Sequence, residues 1–464
     1  EKLIINHLEQ DFSHQDDDGV SFYIDTFNDD RNSYGFYINP VGAKREMQSV
    51  DEGKYQIFEW EDVWDTKTQI TDEGWFAEVR IPFKSLRFSK DRIQTWGINL
   101  QRRIRRRNEQ SFWAPIPRRY MPWLMSYAGD LKGLENIPRE PNVKAKPFMT
   151  STFRKFEEDD FDTEVDFGLD LKYSLTTGLT LDGTLNTDFS QVEADQQQIN
   201  LTRFPLFFPE KRDFFLENAT MFQVKREGRA FRSRSRDLIA FFSRRIGLDQ
   251  GRVIPILGGV RLTGRMDRYR LGLLSIQTDD LEELPSTNFS VVRVRRDLFR
   301  SSDVGGIFIN KQSDRGNYNR TFGVDGHFQF FKHLEIASLL LKTDTPGLEE
   351  NDTSFDAFVG WEDDRYKIEA DYLSIEDNFN PEAGFVPRVG IRRSRGEFGI
   401  KPRPGETIPW IRELKPSMGL EYITNQENVF QSRDFDQTLS FDLHDGGRGW
   451  FTHRFRFERL EEPF

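Results

Sequence analysis

Residues 164–173 read E-V-D-F-G-L-D-L-K-Y, and this alternation decides the fold. In an extended strand, successive side chains point to opposite faces. Val165, Phe167, Leu169, Leu171 and Tyr173 therefore share one face, and charged residues and glycine share the other. Residues 321–330 (T-F-G-V-D-G-H-F-Q-F) and 366–372 (Y-K-I-E-A-D-Y) repeat the pattern, which recurs from about residue 144 onward. Many consecutive two-faced strands with aromatics on the apolar face predict a transmembrane β-barrel, with lipid on one side of its wall and water on the other.

Composition is consistent with this reading. Only 36% of the 464 residues are hydrophobic and the mean hydropathy is −0.67, yet 14% are aromatic, including 43 Phe. No apolar run approaches the length of a membrane-spanning helix. A barrel wall escapes that test because half of each strand faces water. By composition alone, a soluble all-β protein is the competing reading. The chain has no cysteine, which excludes a disulfide framework and thiolate metal sites. A net charge of −12 argues against nucleic acid as a partner.

Residues 1–137 differ from the rest. They hold six of the nine tryptophans, and their short strand candidates are separated by turn signals such as Asn28-Asp29-Asp30 and Asp72–Gly74. This predicts a β-sandwich. Residues 138–145 read as a linker, and 146–464 as the antiparallel barrel. From Ile254 onward, short and long gaps alternate as periplasmic turns and external loops would. Lys401–Glu413 breaks the rule, being long where a short turn is due. Upstream, strands near 146–155, 163–174 and 178–187 are followed by a candidate at Asp237–Ile246. Strand directions then require residues 188–235 to bring the chain back, either through the barrel lumen as a plug or as an unrecognised strand. Phe204-Pro205-Leu206-Phe207-Phe208-Pro209 makes a poor strand because proline removes a ladder donor. About fifteen strands can be counted after the linker, an odd number for a bacterial barrel.

Two long stretches resemble known families. Asp16–Met47, with Trp64–Phe88 and Gln94–Arg107, is similar to the family 9 carbohydrate-binding-like (CBM9-like) sandwich. Asn186–Phe222 (N-T-D-F-S-Q-V-E-A-D-Q-Q-Q-I-N-L-T-R-F-P-L-F-F-P-E-K-R-D-F-F-L-E-N-A-T-M-F) and Asn380–Arg388 resemble the DUF5916 family of bacterial outer-membrane proteins, which pair this sandwich with a barrel. The resemblance implies the outer membrane of a Gram-negative bacterium. With the first barrel strand read as running outward, the N-terminal domain is periplasmic. Against the family pattern, both the sandwich's first strands and the barrel's last ones are missing, so the fold is expected to be incomplete at both ends. The implied partners are outer-membrane lipid, a saccharide ligand and a periplasmic or outer-membrane protein.

Trp60, Trp64 and Trp75 are the carbohydrate-binding candidates, since an indole face stacks on a pyranose while Glu59, Glu61 and Asp62 accept its hydroxyl hydrogen bonds. The competing role for all three is the sandwich core. Asp16, Asp18 and Asp25 offer hard oxygen ligands for calcium, although their spacing does not fit an EF-hand. Arg102–Arg107 is the strongest basic run, with ion pairing inside an acidic protein as its ordinary explanation. The luminal candidates are Asp188, Glu193, Asp195, Arg203, Glu210, Lys211 and Arg212, as a constriction, a ligand site or a plain plug. No metalloprotease, nucleophile-elbow or phosphate-loop motif occurs, so no catalytic residue is assigned. Three functions stay open: binding and transport of a saccharide or other solute, a carbohydrate-active enzyme or its accessory, and a structural barrel whose sandwich docks a partner.

Overall fold

The computed structural model describes residues 3–50, 53, 55–58, 60, 62–89, 91–107, 109–117, 120–138, 143–154, 162–176, 178–187, 200, 204–224, 238–249, 252–281, 284–299, 302–313, 317–331, 333–445 and 447–459. Strands dominate throughout. The first nine are β1 (Gly19–Asp25), β2 (Ser33–Ile38), β3 (Lys44–Val50), β4 (Tyr55–Ile57), β5 (Asp65–Thr71), β6 (Gly74–Arg80), β7 (Ile93–Ile104), β8 (Glu109–Phe112) and β9 (Gly129–Glu135). Seven of these form one sheet in the order β4-β3-β2-β1-β7-β8, with β9 also pairing β7, while β5 and β6 form a separate hairpin. One sheet face is closed by Ile24, Phe36, Trp60, Trp64, Phe88 and Trp96, against which Val79 of the hairpin and Ile81 pack. The other face is closed by Phe12, Tyr23, Tyr37, Met47 and Met125. β2 is buried along its whole length, which its mixed apolar sequence S-Y-G-F-Y-I permits because both of its faces are covered.

The later strands are β10 (Val143–Arg154), β11 (Asp162–Ser174), β12 (Leu179–Leu185), a small hairpin β13 (Leu248–Asp249) and β14 (Arg252–Val253), then β15 (Ile256–Met266), β16 (Tyr269–Thr278), β17 (Asn288–Asp297), β18 (Asp303–Gln312), β19 (Tyr318–Phe330) and β20 (Leu334–Asp344). They continue with β21 (Thr353–Glu362), β22 (Tyr366–Ile375), β23 (Ile391–Ile400), β24 (Ile411–Asn425), β25 (Phe430–Leu443) and β26 (Arg448–Glu458). All but the β13–β14 hairpin join one fifteen-stranded sheet, in chain order from β10 to β26. This is the all-β class expected, an N-terminal sheet domain ahead of a large antiparallel sheet.

In most of the large sheet the two faces are inverted relative to a soluble protein. On β17, Phe289, Val291, Arg293, Arg295 and Asp297 are buried while Val292 and Val294 stand exposed. Phe322 and Val324 of β19, Phe355 and Val359 of β21, and Ile368 and Tyr372 of β22 are likewise exposed. Connections alternate as expected: 267–268, 331–333 and 363–365 at one end are short, and 279–287, 345–352 and 376–390 at the other are longer. Residues 401–410 are an exception at the short-turn end, and 313–317, where a long loop is expected, and 426–429 are short at the other. That end also carries exposed aromatics: Tyr269, Phe331, Tyr366, Trp410 and Trp450.

The expected strand at Asp237–Ile246 does not form. Ile239 makes a single bridge to Phe385, and Ser243–Arg245 is a turn of 3-10 helix. β12 instead neighbours β15 directly, and Arg265 N donates to Gly178 O (2.8 Å), so the start of β12 meets the end of β15. The connection 186–255 therefore leaves and returns at the long-loop end. No returning strand is required, which removes the conflict in strand direction.

Candidate functional site: the charged sheet face and its inserted segment

The buried face of the large sheet has two zones. Toward the long loops it is apolar: Ile276, Val291, Ile309, Leu341, Leu373 and Ile375 are buried there. In the same region Phe207 packs on Phe242 (5.1 Å between centroids) and edge-on to Phe385 (5.3 Å). Phe242 N donates to Ala383 O (2.8 Å), and Ser243 Oγ donates to Glu210 Oε2 (2.7 Å). The proline-flanked aromatic run that makes a poor strand is thus a wedge in a packed apolar layer.

Toward the short turns the buried face is charged. Arg293 donates two parallel bonds to Asp325 (2.6 and 2.7 Å), and its Nε donates to Gln223 O (3.2 Å). Arg295 Nε reaches Asp303 (3.1 Å), and Arg270 reaches Asp297 (2.9 Å) and Asp303 (3.1 Å), while Arg393, nearer the long loops beside Leu373, reaches Asp371 (2.6 Å). Buried guanidinium groups are tolerated when planar forks meet carboxylates in this way. The row needs room as well: a Cβ on Gly305 would lie 2.6 Å from Arg293 Nη1 and 2.8 Å from Arg295 Cγ, so only glycine fits there.

A second arginine organises the strands beside the N-terminal domain. Arg261 on β15 meets Asp182 on β12 (3.0 Å), and its Nη1 donates to the main-chain oxygens of Glu217 (2.6 Å) and Phe214. Those acceptors belong to the helical turn α1 (Asp213–Leu216) and the residues after it. Phe214 lies under the Arg261 guanidinium (4.9 Å), and Arg212, itself buried, sits over Phe215 (4.3 Å). Glu217 pairs with Lys172 of β11. Burial alone would raise the Glu217 carboxyl, but Lys172 and Arg261 hold it below its ordinary value. Asn218 then accepts from Arg87 (3.4 Å) of the N-terminal domain, which also meets these strands through Asp29–Arg265 and Asp62–Lys144 (3.0 Å).

The luminal candidates separate on this frame. Arg212 belongs to the inserted turn and Glu210 to the aromatic wedge. Lys211 lies between them, half-buried. Asp188, Glu193, Asp195 and Arg203 lie outside the described residues. The arginines that organise the face were not singled out in the sequence, although V-V-R-V-R-R-D at 291–297 places them at alternate positions, which is their signature.

The tryptophan candidates need correction. Trp60 and Trp64 are core residues, 4% and 1% exposed, so neither offers a face to a sugar. Tyr34 and Phe36 crowd both rings, and Trp64 Nε1 donates to the buried Glu46 (2.9 Å). Trp75, on the outlying hairpin β5–β6, is the half-exposed one of the three, beside exposed Phe76. The calcium candidates also fail to converge. Asp18 caps the main-chain nitrogens of Ile4 (2.8 Å) and Arg105 (2.6 Å), and Asp25 caps those of Asp30 (2.8 Å) and Phe27 (3.1 Å), while Asp16 is exposed at its own turn. Burial and the neighbouring Asp29 carboxylate push Asp25 well above the usual range. Among the described residues, no three acidic or imidazole side chains form a metal cage.

Comparison with known proteins adds the following. The chain is similar to the solved Escherichia coli Wzi, titled an outer-membrane protein involved in group 1 capsule assembly and a carbohydrate-binding β-barrel, at 9% identity and a TM-score of 0.31 over 69% of this chain and 82% of that one. It is similar to Pseudomonas aeruginosa OccK2 (OpdF), at 9% identity and a TM-score of 0.30 over 95% and 93%. It is also similar to a BenF-like porin from Pseudomonas fluorescens Pf-5, at 6% identity and a TM-score of 0.30 over 95% and 92%. No curated protein matches the chain. Residues 143–253, which include the inserted segment, match the family described as a domain of unknown function, DUF5916.

Proposed function

We propose that this chain is an outer-membrane β-barrel protein that binds, and admits through a plugged lumen, a polar solute of the saccharide class. The observation that carries the reading is the inverted polarity of the large sheet: exposed Val292, Val294, Phe322 and Val324 on one face, and paired buried Arg293, Arg295, Asp303 and Asp325 on the other. Such a sheet is stable where its outer face meets hydrocarbon. The exposed aromatics at the short-turn end suit the interface between lipid and water.

In this reading residues 188–235 are the plug. The aromatic wedge of Phe207, Phe242 and Phe385 seals the loop end, and Arg261 holds the inserted turn beside Asp182 of β12. The N-terminal domain is periplasmic, since its contacts to Lys144 and Arg265 lie at the tight-turn end of β10–β12 and β15. The saccharide class rests on the resemblance of residues 16–107 to the CBM9-like sandwich. Its stacking residue is Trp75, with Phe76 beside it.

Planar-bilayer recording tests the plug. The full chain should be closed or nearly so, and deletion of residues 188–222 should open a conducting state. A deletion variant that inserts, keeps its strand content and stays closed would refute the plug. Glycan-array binding by the full chain, weakened several-fold by Trp75→Ala, tests the ligand class.

A further inference from the structure

The N-terminal domain carries a cleft of about 600 Å³ lined by Ile4, Asn6, His7, Asp16, Arg105 and Arg106. The volume lies in the range of small-molecule sites. Its walls are built rather than incidental. Asp17 is 1% exposed and accepts from Asn6 N (2.8 Å), Asn39 Nδ2 (2.9 Å) and His7 N (3.3 Å), and its Oδ1 lies 3.1 Å from His7 Nδ1. Burial alone would raise the Asp17 carboxyl, but the bonds from Asn39, Asn6 and His7 outweigh it and hold it below its ordinary value. An ionised carboxylate only accepts, so Nδ1 of His7 carries the proton and Nε2 of the neutral ring is left as an acceptor.

Arg105 faces the same space. Its main-chain nitrogen is held by Asp18 Oδ1 (2.6 Å), which fixes the 3-10 turn Arg105–Arg107 at the end of β7. The side chain is not consumed by that contact, and no described carboxylate pairs with it. Asp16, its hydroxyl-accepting chemistry shown by Ser13 Oγ (2.7 Å), lines the same cleft. A guanidinium fork recognises an oxyanion, while a carboxylate and the free lone pair of a neutral imidazole accept from hydroxyls.

We infer that this cleft is a binding site for a small hydroxylated solute bearing one oxyanion, a carboxylate or a phosphate, with Arg105 on the oxyanion and His7 and Asp16 on hydroxyls. It gives the solute-binding reading above a chemical class. It stands on the N-terminal domain alone, so it can fail while the plug survives, and the reverse.

The test is calorimetric titration of the full chain in detergent with glucose 1-phosphate, gluconate, glucose and inorganic phosphate. At least one of the two hydroxylated anions should bind, and which one binds separates phosphate from carboxylate. Glucose should bind at least about tenfold more weakly, because charge-assisted bonds to the oxyanion are lost. Arg105→Ala should weaken the anion about 10- to 100-fold, Arg105→Lys less, and His7→Gln about 5- to 10-fold. Asp16→Asn should weaken gluconate or glucose 1-phosphate while leaving inorganic phosphate unchanged or tighter. Arg105 is held through its main chain, so Arg105→Ala should keep the wild-type melting temperature. If neither hydroxylated anion binds, or if Arg105→Ala and His7→Gln bind as wild type does, the site is refuted. Equal affinity for inorganic phosphate and glucose 1-phosphate would overturn the role of Asp16.

Discussion

The N-terminal domain and the large sheet are built from the same element and bury opposite faces of it. In the first, Phe36, Trp60, Trp64 and Trp96 are inside. In the second, Val292, Val294, Phe322 and Val324 are outside, and Arg293 is among the largest fully buried side chains. Strand alternation produces a two-faced ribbon in both cases. What differs is the medium each face meets: water around the first, and in our reading hydrocarbon around the second.

The comparison can be broken most severely at its two centres. Trp64→Ala empties a large core volume and strands Glu46, so the N-terminal domain should lose about 3–5 kcal/mol in urea unfolding. Arg293→Ala leaves Asp325 buried without its fork, and the large sheet should lose a similar ~3–5 kcal/mol, read as a lowered midpoint for the slow, heat-modifiable gel band. The double change Arg293→Met with Asp325→Leu should recover most of that loss. If both single variants melt at the same temperature as wild type, the two interiors are not what hold the two regions.

A smaller effect separates the outer faces. Val292→Arg or Val324→Arg should cost about 2–4 kcal/mol in a bilayer if those positions are near its midplane. The same change at Gln69, exposed on β5, should cost almost nothing. Equal tolerance at Val292 and Gln69 would mean the large sheet does not meet hydrocarbon.

Next comes a pH effect confined to the N-terminal domain. Burial, with Arg103 and Arg45 nearby, depresses His14 to about 4. Its folded value lies below its unfolded one, so stability is full above about pH 6.5 and declines as pH falls from about 6.5 to about 4. Allowing for the ring's partial exposure, about 1–2 kcal/mol is at stake, and His14→Phe should flatten the profile in that window. Smallest is Trp410→Ala at the short-turn end, expected to shift stability by less than about 1 kcal/mol and only in lipid.

The sequence displayed the large sheet plainly because each strand carries its own alternation. Strand boundaries near 163–174 and the loop at 376–390 are read from period and turn residues alone. The stretch 237–246 misled because Leu238, Ala240 and Ile246 are buried and look like one strand face, yet they pack as a loop on Phe385 and its neighbours. Trp60 and Trp64 misled for another reason. They flank the acidic residues a sugar site would need, but they lie on loops that fold over the sheet, and loop burial leaves no period to read. Arg261 and Asp182 are 79 residues apart, and no local pattern joins them.

That last pair marks a seam. Every other join in the large sheet follows a far shorter excursion, the longest being 376–390, but β12 and β15 must find each other across residues 186–255. Relative to the two-residue turn 267–268, closing so long a connection costs about 3 kcal/mol more chain entropy. The hairpins on either side should therefore form first, and the seam should close last, when the inserted turn arrives carrying Phe214 and Glu217 to Arg261. The segment that meets Arg261 would then also set the pace at which the sheet is completed, and a chain stalled in assembly should be found open along this line.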